Sequence, residues 1–95
     1  MLITNLAATD QFLRKNMGAT GPLRRWIDAT EQAEWHSILD VRQTFRHADA
    51  IKGTNLTCFN IAGNNFRLIT IVRYDLQEVF VIELLTHAQY NRKYT

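Results

Sequence analysis

The chain has few of the residues and segments that mark secreted and membrane proteins. Its 95 residues include one cysteine, one proline and four glycines. The single cysteine, Cys58, excludes an intramolecular disulfide and any cysteine cluster for zinc. No apolar run approaches the ~18 residues that a membrane span needs, and the opening MLITNLAATDQF lacks the basic and apolar segments of a signal peptide. We therefore expect a cytoplasmic protein with no membrane segment.

An excess of charge of one sign is also missing. Eleven Lys and Arg residues stand against nine Asp and Glu residues, so the formal net charge is +2. Such a mild bias permits nucleic-acid binding but does not require it. Hydrophobic residues make up 46% of the chain, which predicts a packed core rather than disorder. The length predicts a single domain over residues 1–95.

The first half of the chain has helical periodicity. NLAATDQFLRKNM predicts a short helix that stops at Gly18, and Thr20 is in place to cap a second helix with Pro22 in its first turn. SILDVRQTF predicts a third helix, in which Ser37 and Asp40 form an acidic variant of the capping box. Gly53 ends this helical half.

The second half has the composition of strands. LTCFNI, FRLITIVRY and VFVIELL are rich in β-branched and aromatic residues. The short connections AGNN and DLQE predict two hairpins, and Asn64 and Asn65 are turn residues that tolerate positive φ. Thr86 predicts the N-cap of a last short helix, and MLIT an edge strand. The predicted fold is α+β, with N-terminal helices packed on a twisted antiparallel sheet and a short C-terminal helix.

The hairpin lengths predict which side chains share a face. A four-residue AGNN loop pairs Asn60 with Arg67, and a four-residue DLQE loop places Arg67 opposite Thr86. His87 then begins the C-terminal segment beside them, and Tyr90 shares its helical face. The sequence therefore predicts a cluster of polar side chains at one end of the central strand.

This cluster has the groups that RNA cleavage without a metal needs. Arginine matches phosphate oxygens with a planar fork of donors, histidine moves protons near neutral pH, and tyrosine donates a hydrogen bond or stacks on a base. The three histidines lack the spacing of a metal site. Each residue also has an ordinary interpretation: Arg67 as a solvated strand charge, His87 as a surface residue, and Tyr90 as packing.

Other basic residues lie near the predicted cluster or on its face. Arg73 shares the face of Arg67 but lies about 20 Å away at the usual strand rise. Lys52, Arg92 and Lys93 are interpreted either as a rim that steers phosphate groups or as ordinary surface. Cys58, inside a strand, is interpreted as a small buried hydrophobe rather than a nucleophile, and the two tryptophans as core residues.

Two motifs resemble a known family. FNIAGNNFRLITIV followed by THAQYNRKY resembles the HigB-type toxins of bacterial type II toxin–antitoxin systems, within the RelE-like superfamily. Those proteins typically show a GN turn, an aromatic-Arg-Leu strand and a closing THxEYD. PLRRWIDATEQAEW also resembles their helical region, so the similarity extends over most of the chain, residues 20–94.

The resemblance implies a RelE-like fold and an mRNA interferase, a metal-independent endoribonuclease that cuts mRNA on the ribosome. It implies a HigA-like antitoxin with a helix-turn-helix domain and no cofactor. At matching positions, Arg67 would stabilise the transition-state phosphate, His87 would transfer a proton, and Tyr90 would orient the substrate or stack on it. Asn64 matches the turn asparagine and Lys52 a basic residue before the second strand.

The chain also departs from the pattern of that family. Asn65 replaces a common lysine, Asn91 and Gln89 replace the Asp and Glu of the closing motif, and Ile82 stands where Arg or Lys is frequent. The predicted site is therefore poorer in basic residues than usual. This leaves a second hypothesis open, a non-catalytic module that binds an antitoxin or RNA through the same face, and a third, a solitary regulator.

Overall fold

The helices precede the long strands, as the periodicity predicts. The computed structural model describes residues 1–95. Short 3₁₀ turns at Leu6–Thr9 and Met17–Ala19 accompany four α-helices. The helices are α1 (Asp10–Lys15), α2 (Thr20–Glu31), α3 (Ile38–Thr44) and α4 (His87–Tyr94). None of them is both long and apolar enough to cross a membrane.

Five strands form one mixed sheet. They are β1 (Leu2–Thr4), β2 (Asp49–Ala50), β3 (Leu56–Ile61), β4 (Phe66–Arg73) and β5 (Glu78–Thr86). Their order is β1-β5-β4-β3-β2, and all neighbours are antiparallel except β1, which runs parallel to β5. The α+β class and the antiparallel meander are therefore confirmed. The predicted edge strand exists, and its parallel pairing makes the sheet mixed.

The hairpin between β3 and β4 has the predicted register. Ile61 pairs with Phe66 and Asn60 pairs with Arg67. Asn64 and Asn65 lie in the turn as predicted, but the residues that adopt positive φ are Ala62 (56°) and Gly63 (65°). A pair of left-handed residues matches the twist of the flanking strands, and the asparagines are left free for other contacts.

The hairpin between β4 and β5 departs from the predicted register at two points. Its turn is formed by residues 74–77 rather than by DLQE, so Glu78 already pairs with Arg73, and β5 contains a bulge further along. Thr70 pairs with Val81 and Ile69 with Glu83, so Ile82 has no partner. Past this point Arg67 lies opposite Leu85 rather than Thr86, and Thr86 lies opposite Phe66. Adjacent positions along a strand point to opposite faces. Thr86 is therefore on the other face of the sheet from Arg67.

One face of the sheet carries the main core. It is covered by α1, α2 and α3, and we call it the helix-covered face. Its aromatic centre is formed by Trp26, Trp35 and Phe59, which are 2%, 1% and 0% exposed, and Phe45 packs edge-on against Phe59. Burying each such side chain stabilises the fold by about 1.5–3 kcal/mol. The assignment of both tryptophans to the core is confirmed.

The opposite face of the sheet is covered in part by α4, and we call it the α4 face. A smaller apolar cluster of Cys58, Ile69 and Leu85 lies there, with Tyr90 and Tyr94 of α4 packed against it. Thr86 caps α4 as predicted: its side chain accepts from Gln89 N, and Gln89 Oε1 accepts from Thr86 N. This capping box fixes where the helix starts on the sheet.

The helix starts in the first half differ in detail from the prediction. The first helix ends at Lys15, before Gly18, which lies in a 3₁₀ turn. Thr20 is the first residue of α2 and makes no capping bond. Ser37 occupies the N-cap position of α3 without capping it, and Asp40 instead accepts from His36 N at 2.8 Å. The expected hydroxyl bond is missing, and the carboxylate of Asp40 instead binds the chain just before the helix.

The edge strand β1 is attached to the sheet through one carboxylate. Thr4 donates to Glu78 at 2.7 Å and Arg73 pairs with Glu78 at 2.9 Å. These two hydrogen bonds hold the pKa of Glu78 below its ordinary value, and the bond from Thr4 has the larger effect. A carboxyl whose pKa is lower in the folded state than in the unfolded state stabilises the protein at pH values above its pKa in the unfolded state. That contribution is lost as the pH falls through the pKa that the carboxyl has in the folded state.

We therefore expect Glu78→Gln to reduce the acid sensitivity of folding. Between about pH 6 and pH 3 the wild type should lose more stability than the variant, because only the wild type has this carboxylate to protonate. Urea denaturation followed by tryptophan fluorescence at a series of pH values measures the difference. Asp75→Asn, at an exposed carboxyl in the neighbouring turn, is the control. Parallel pH curves for the wild type and Glu78→Gln would contradict the prediction.

Candidate functional site

Arg67 is the one charged residue in the buried set of this protein. It lies on β4 next to the first hairpin turn, on the α4 face, and is 8% exposed. No carboxylate lies within ion-pair distance of its guanidinium, which is absent from the four ion pairs of the structure. A buried cation without an anion is electrostatically unfavourable. An anionic ligand would therefore stabilise the guanidinium of Arg67.

The guanidinium of Arg67 is held by the hairpin turn. Nη1 donates to the carbonyl oxygens of Asn64 and Phe66, both at 3.1 Å, and Nη2 donates to Oδ1 of Asn64. These contacts use three of the five N–H groups of an arginine. They fix the plane of the guanidinium before any ligand arrives.

Two N–H groups of Arg67 remain without an acceptor, one on Nε and one on Nη2. Nε is not among the fully buried unpaired atoms, so solvent reaches it. These two N–H groups lie along one edge of the planar group and point the same way. That edge has the geometry of a two-pronged contact with phosphate oxygens.

Tyr90 brings α4 against Arg67. The guanidinium carbon lies 5.8 Å from the centre of the Tyr90 ring, within the range of a cation–π contact. Burial raises the pKa of Tyr90, and the neighbouring Cys58 adds to the rise. The phenol therefore keeps its proton and remains a hydrogen-bond donor at neutral pH.

Cys58 lies beneath this pair and does not have the properties of a nucleophile. It is 4% exposed, and burial raises the pKa of its thiol to about 11, although Arg67 and Tyr90 act in the opposite direction. The thiol is therefore protonated at neutral pH, while nucleophilic cysteines need the thiolate. Its interpretation as a small buried hydrophobe is confirmed.

His87 begins α4 beside the first hairpin turn. Its backbone N–H donates to the carbonyl oxygen of Asn65 at 3.0 Å, which ties the start of the helix to the turn that holds Arg67. Its side chain is half-buried and makes no hydrogen bond or ion pair within the protein. His87 and Tyr90 are three positions apart on one helix and so share a face. The imidazole is thus free to bind a ligand.

The structure places Asn60 and Tyr90 beside Arg67, and Thr86 away from it. Asn60 lies opposite Arg67 on β3 and shares the α4 face. Thr86 was expected beside them, but the bulge in β5 turns it to the other face of the sheet. Its hydroxyl accepts from Gln89 N in the first turn of α4. The asparagine of the turn, Asn64, holds the arginine through two contacts. The direct role of Asn64 is therefore to position Arg67.

The four remaining basic residues of the prediction fall into two groups. Lys52 and Arg92 are exposed and make no ion pair. Arg73 is paired with Glu78 and lies 5.5 Å from the ring centre of Phe80, and Lys93 is paired with Glu83 at 2.7 Å. Of these four residues, Lys52 and Arg92 therefore offer an unpaired charge to a polyanion.

Two residues next to this site were missed by the sequence reasoning. Glu83 accepts hydrogen bonds from Lys93 and from the hydroxyl of Tyr94. Tyr94 in turn stacks on Tyr90 with ring centres 5.6 Å apart. A single carboxylate inside the apolar run VFVIELL is a signal that could have drawn attention to Glu83.

The α4 face does not gather the side chains of a metal site, and neither does any other part of the protein. No group of three or more histidine, cysteine, aspartate or glutamate side chains is placed to hold a metal ion. The polar groups next to Arg67 are the amides of Asn60 and Asn64 and the phenol of Tyr90. The carboxylate of Asp49 on β2 is near enough to contribute to the raised pKa of Tyr90. Together with the guanidinium, the amides and the phenol provide hydrogen-bond donors for an anion.

The fold and this site place the protein in a class. A small α+β protein with a mixed sheet, a short capped C-terminal helix and an unpaired arginine on the sheet is consistent with the RelE-like fold. The family model described as the HigB toxin, a RelE-like toxic component of a toxin–antitoxin system, matches residues 19–93. This match extends over most of the chain. The chain belongs to the HigB toxin family.

Membership in this family defines the role of the protein and one partner. The protein is a toxin of a toxin–antitoxin system, and its partner is an antitoxin. Among curated proteins, none matches the chain at a significant level. The family model covers all predicted site residues, because Lys52 and Lys93 both fall inside the matched range.

Proposed function

We propose that this toxin is an endoribonuclease that cleaves mRNA on the ribosome without a metal ion. The observation that carries the proposal is the buried guanidinium of Arg67, which has no carboxylate partner and presents two free N–H groups along one edge. A phosphodiester supplies the anion and the pair of oxygens that this edge fits. RNA is the favoured polymer because its 2′-hydroxyl supplies an internal nucleophile.

In the proposed reaction the 2′-oxygen attacks the adjacent phosphorus and its proton is removed. The bond from phosphorus to the 5′-oxygen breaks, a 2′,3′-cyclic phosphate forms, and the departing 5′-oxygen receives a proton. Arg67 stabilises the extra negative charge on the phosphorane oxygens. His87 transfers a proton, and Tyr90 orients the substrate or stacks on a base next to the scissile bond.

The remaining residues bind the RNA around this centre. Asn60 offers an amide on the same face as Arg67, and Asn64 fixes the guanidinium. Lys52 and Arg92 form an exposed cationic rim, while Arg73 and Lys93 must first exchange their carboxylates for phosphates. Two of the four basic residues predicted around this centre are thus already paired, which favours weak binding of naked RNA at the site and supports the ribosome as the place where the substrate is presented.

The same proposal specifies the partner and the compartment. The antitoxin is proposed to be HigA-like, with a helix-turn-helix domain, following the resemblance of the two sequence motifs to HigB-type toxins. Messenger RNA and ribosomes are found in the cytoplasm, so we propose that the toxin acts there.

A second candidate function is a non-catalytic binding module. It is favoured by one observation: two of the basic residues on the α4 face, Arg73 and Lys93, are neutralised by Glu78 and Glu83. Such a module would hold RNA or the antitoxin through the same face without breaking a bond. It requires no proton transfer at His87.

Primer extension on cellular mRNA after induction separates the two functions. We expect discrete new 5′ ends and arrested growth within a short induction, and neither effect when the antitoxin is expressed together with the toxin. Purified toxin should cleave mRNA on programmed ribosomes equally well with and without EDTA. The EDTA concentration is chosen to leave the Mg²⁺ that the ribosome needs. Arrested growth without new 5′ ends would favour the binding module, and loss of cleavage in EDTA although enough Mg²⁺ for the ribosome is still present would contradict the metal-independent mechanism.

A further inference from the structure

The bulge in β5 has a consequence for the site. Without it, strict alternation from Val81 would place Glu83 on the helix-covered face, because residues two apart along a strand share a face. The unpaired Ile82 restores Glu83 to the side of Ile69, its partner on β4. Bulges re-aim side chains in this way, and they are frequent next to active sites. The carboxylate of Glu83 is thereby aimed at α4.

Glu83 holds the end of α4 with two hydrogen bonds. Its Oε2 accepts from Lys93 Nζ at 2.7 Å and from the hydroxyl of Tyr94. Partial burial acts to raise the pKa of Glu83, but these two bonds outweigh it and the pKa is lowered. Burial, together with Glu83, raises the pKa of Tyr94. The carboxylate and the phenol therefore stay an acceptor and a donor at neutral pH.

Helix α4 needs such an attachment because it is short. It has eight residues, and isolated helices of this length are marginal in water. The capping box of Thr86 and Gln89 secures the first turn. In the last turn, the polar bonds between α4 and the sheet are those that Lys93 and Tyr94 donate to Glu83.

The attachment continues through aromatic contacts to Arg67. The Tyr94 and Tyr90 rings are stacked, with centres 5.6 Å apart and planes at 26°. The Tyr90 ring in turn lies 5.8 Å from the guanidinium carbon of Arg67. A continuous series of contacts therefore joins the bulge, the end of the helix and the proposed phosphate site.

We propose that Glu83 and Tyr94 are positioning residues, which hold Tyr90 against Arg67 by fixing the last turn of α4. This inference rests on the proposed ribonuclease function for its kinetic consequence, but the structural link can be tested without it. Neither residue touches the substrate in this account. Their effect is on the orientation of Tyr90 and, through its ring, on the environment of the guanidinium.

Two variants of the attachment and one matched control test the link. Tyr94→Phe removes only the hydroxyl and keeps the ring, and Glu83→Leu removes the acceptor. Glu83→Gln keeps an acceptor for the phenol and should behave like the wild type at Tyr90. Tyr74→Phe is the control. It removes the hydroxyl of a half-buried tyrosine in the turn after β4, and this hydroxyl makes no hydrogen bond in the structure.

The first measurement is the NMR signal of the Arg67 Nε–H group, assigned by its loss in Arg67→Lys. We expect the ring of Tyr90 to change the chemical shift of this signal in the wild type. Tyr94→Phe and Glu83→Leu should therefore move the signal toward the chemical shift of a solvent-exposed arginine. Tyr74→Phe and Glu83→Gln should leave it in place. An unchanged signal in both Tyr94→Phe and Glu83→Leu, with folded spectra elsewhere, overturns the proposal.

The second measurement is single-turnover cleavage of mRNA on purified ribosomes. We expect Tyr94→Phe to lower the maximal rate about tenfold while the half-saturating concentration stays within about twofold, because orientation rather than binding is lost. If Tyr94→Phe moves the NMR signal of Arg67 but cleaves mRNA at the wild-type rate, the attachment has no role in catalysis. If the wild type itself does not cleave, the proposed function fails, and the NMR comparison alone decides whether the attachment exists.

Discussion

Arg67→Ala is expected to lower the rate of mRNA cleavage by about 10²–10³-fold and to abolish growth arrest on induction. Removing one preorganised donor to a developing oxyanion costs a rate factor of this size. Arg67 is preorganised because Asn64 and Phe66 already fix its plane through Nη1, and Asn64 also binds Nη2. The cleavage rate is measured on programmed ribosomes and the arrest by growth after induction.

Loss of folding must be separated from loss of chemistry in this experiment. Arg67→Ala leaves the carbonyl oxygens of Asn64 and Phe66 without their donor, which costs about 1–3 kcal/mol where such groups remain buried. Arg67→Lys keeps the charge without the planar fork and should have an intermediate rate. Arg25→Ala removes an exposed arginine on α2 and should be as toxic as the wild type. Full toxicity of a folded Arg67→Ala protein would refute the assignment.

The position of Arg67 was predictable because the first hairpin is short. Four residues between two clear strand patterns leave little freedom, and the register that pairs Asn60 with Arg67 follows from that length. The N-cap at Thr86 was predictable for a similar reason, since a capping threonine directly follows a strand and precedes polar helical residues. Both features depend on residues close together in the chain.

The features that could not be predicted depend on distant parts of the chain or on packing. The bulge at Ile82 lies inside the strand sequence VFVIELL, which contains no glycine or proline to mark it. The parallel pairing of β1 with β5 joins Ile3 to Val79 across most of the sequence. The partner of Lys93 is Glu83, whose orientation depends on the bulge. Local pattern alone does not determine any of these.

The capture of Arg67 by its own turn is a further example. The sequence shows an arginine two residues after a pair of asparagines, which is compatible with a solvated charge. The structure uses positive φ at Ala62 and Gly63, which leaves Asn64 to bind the guanidinium with both its backbone and its side chain. An exposed strand charge thereby becomes a buried cation with one free edge, and this change carries the functional argument.

His87→Ala is expected to lower the cleavage rate by about 10²–10⁴-fold, the usual contribution of a positioned general acid or base. Its imidazole is unpaired within the protein, and its backbone is tied to Asn65, so the side chain stands at the junction of α4 and the turn that holds Arg67. Alanine is a good helix former, so the start of α4 should persist. His47→Ala, at an exposed histidine, is the matched control.

Chemical rescue distinguishes proton transfer by His87 from a structural role. Imidazole added to folded His87→Ala protein should restore part of the rate, because a free base can occupy the space of the missing side chain and exchange the same proton. Arg67→Ala should not respond to imidazole, since its defect is the loss of a fixed cation. A His87→Ala protein that cleaves at the wild-type rate, or a rescue equal in both variants, would remove the proton-transfer step from His87. In the first case the reaction would depend on Arg67, Tyr90 and the reactivity of the RNA itself.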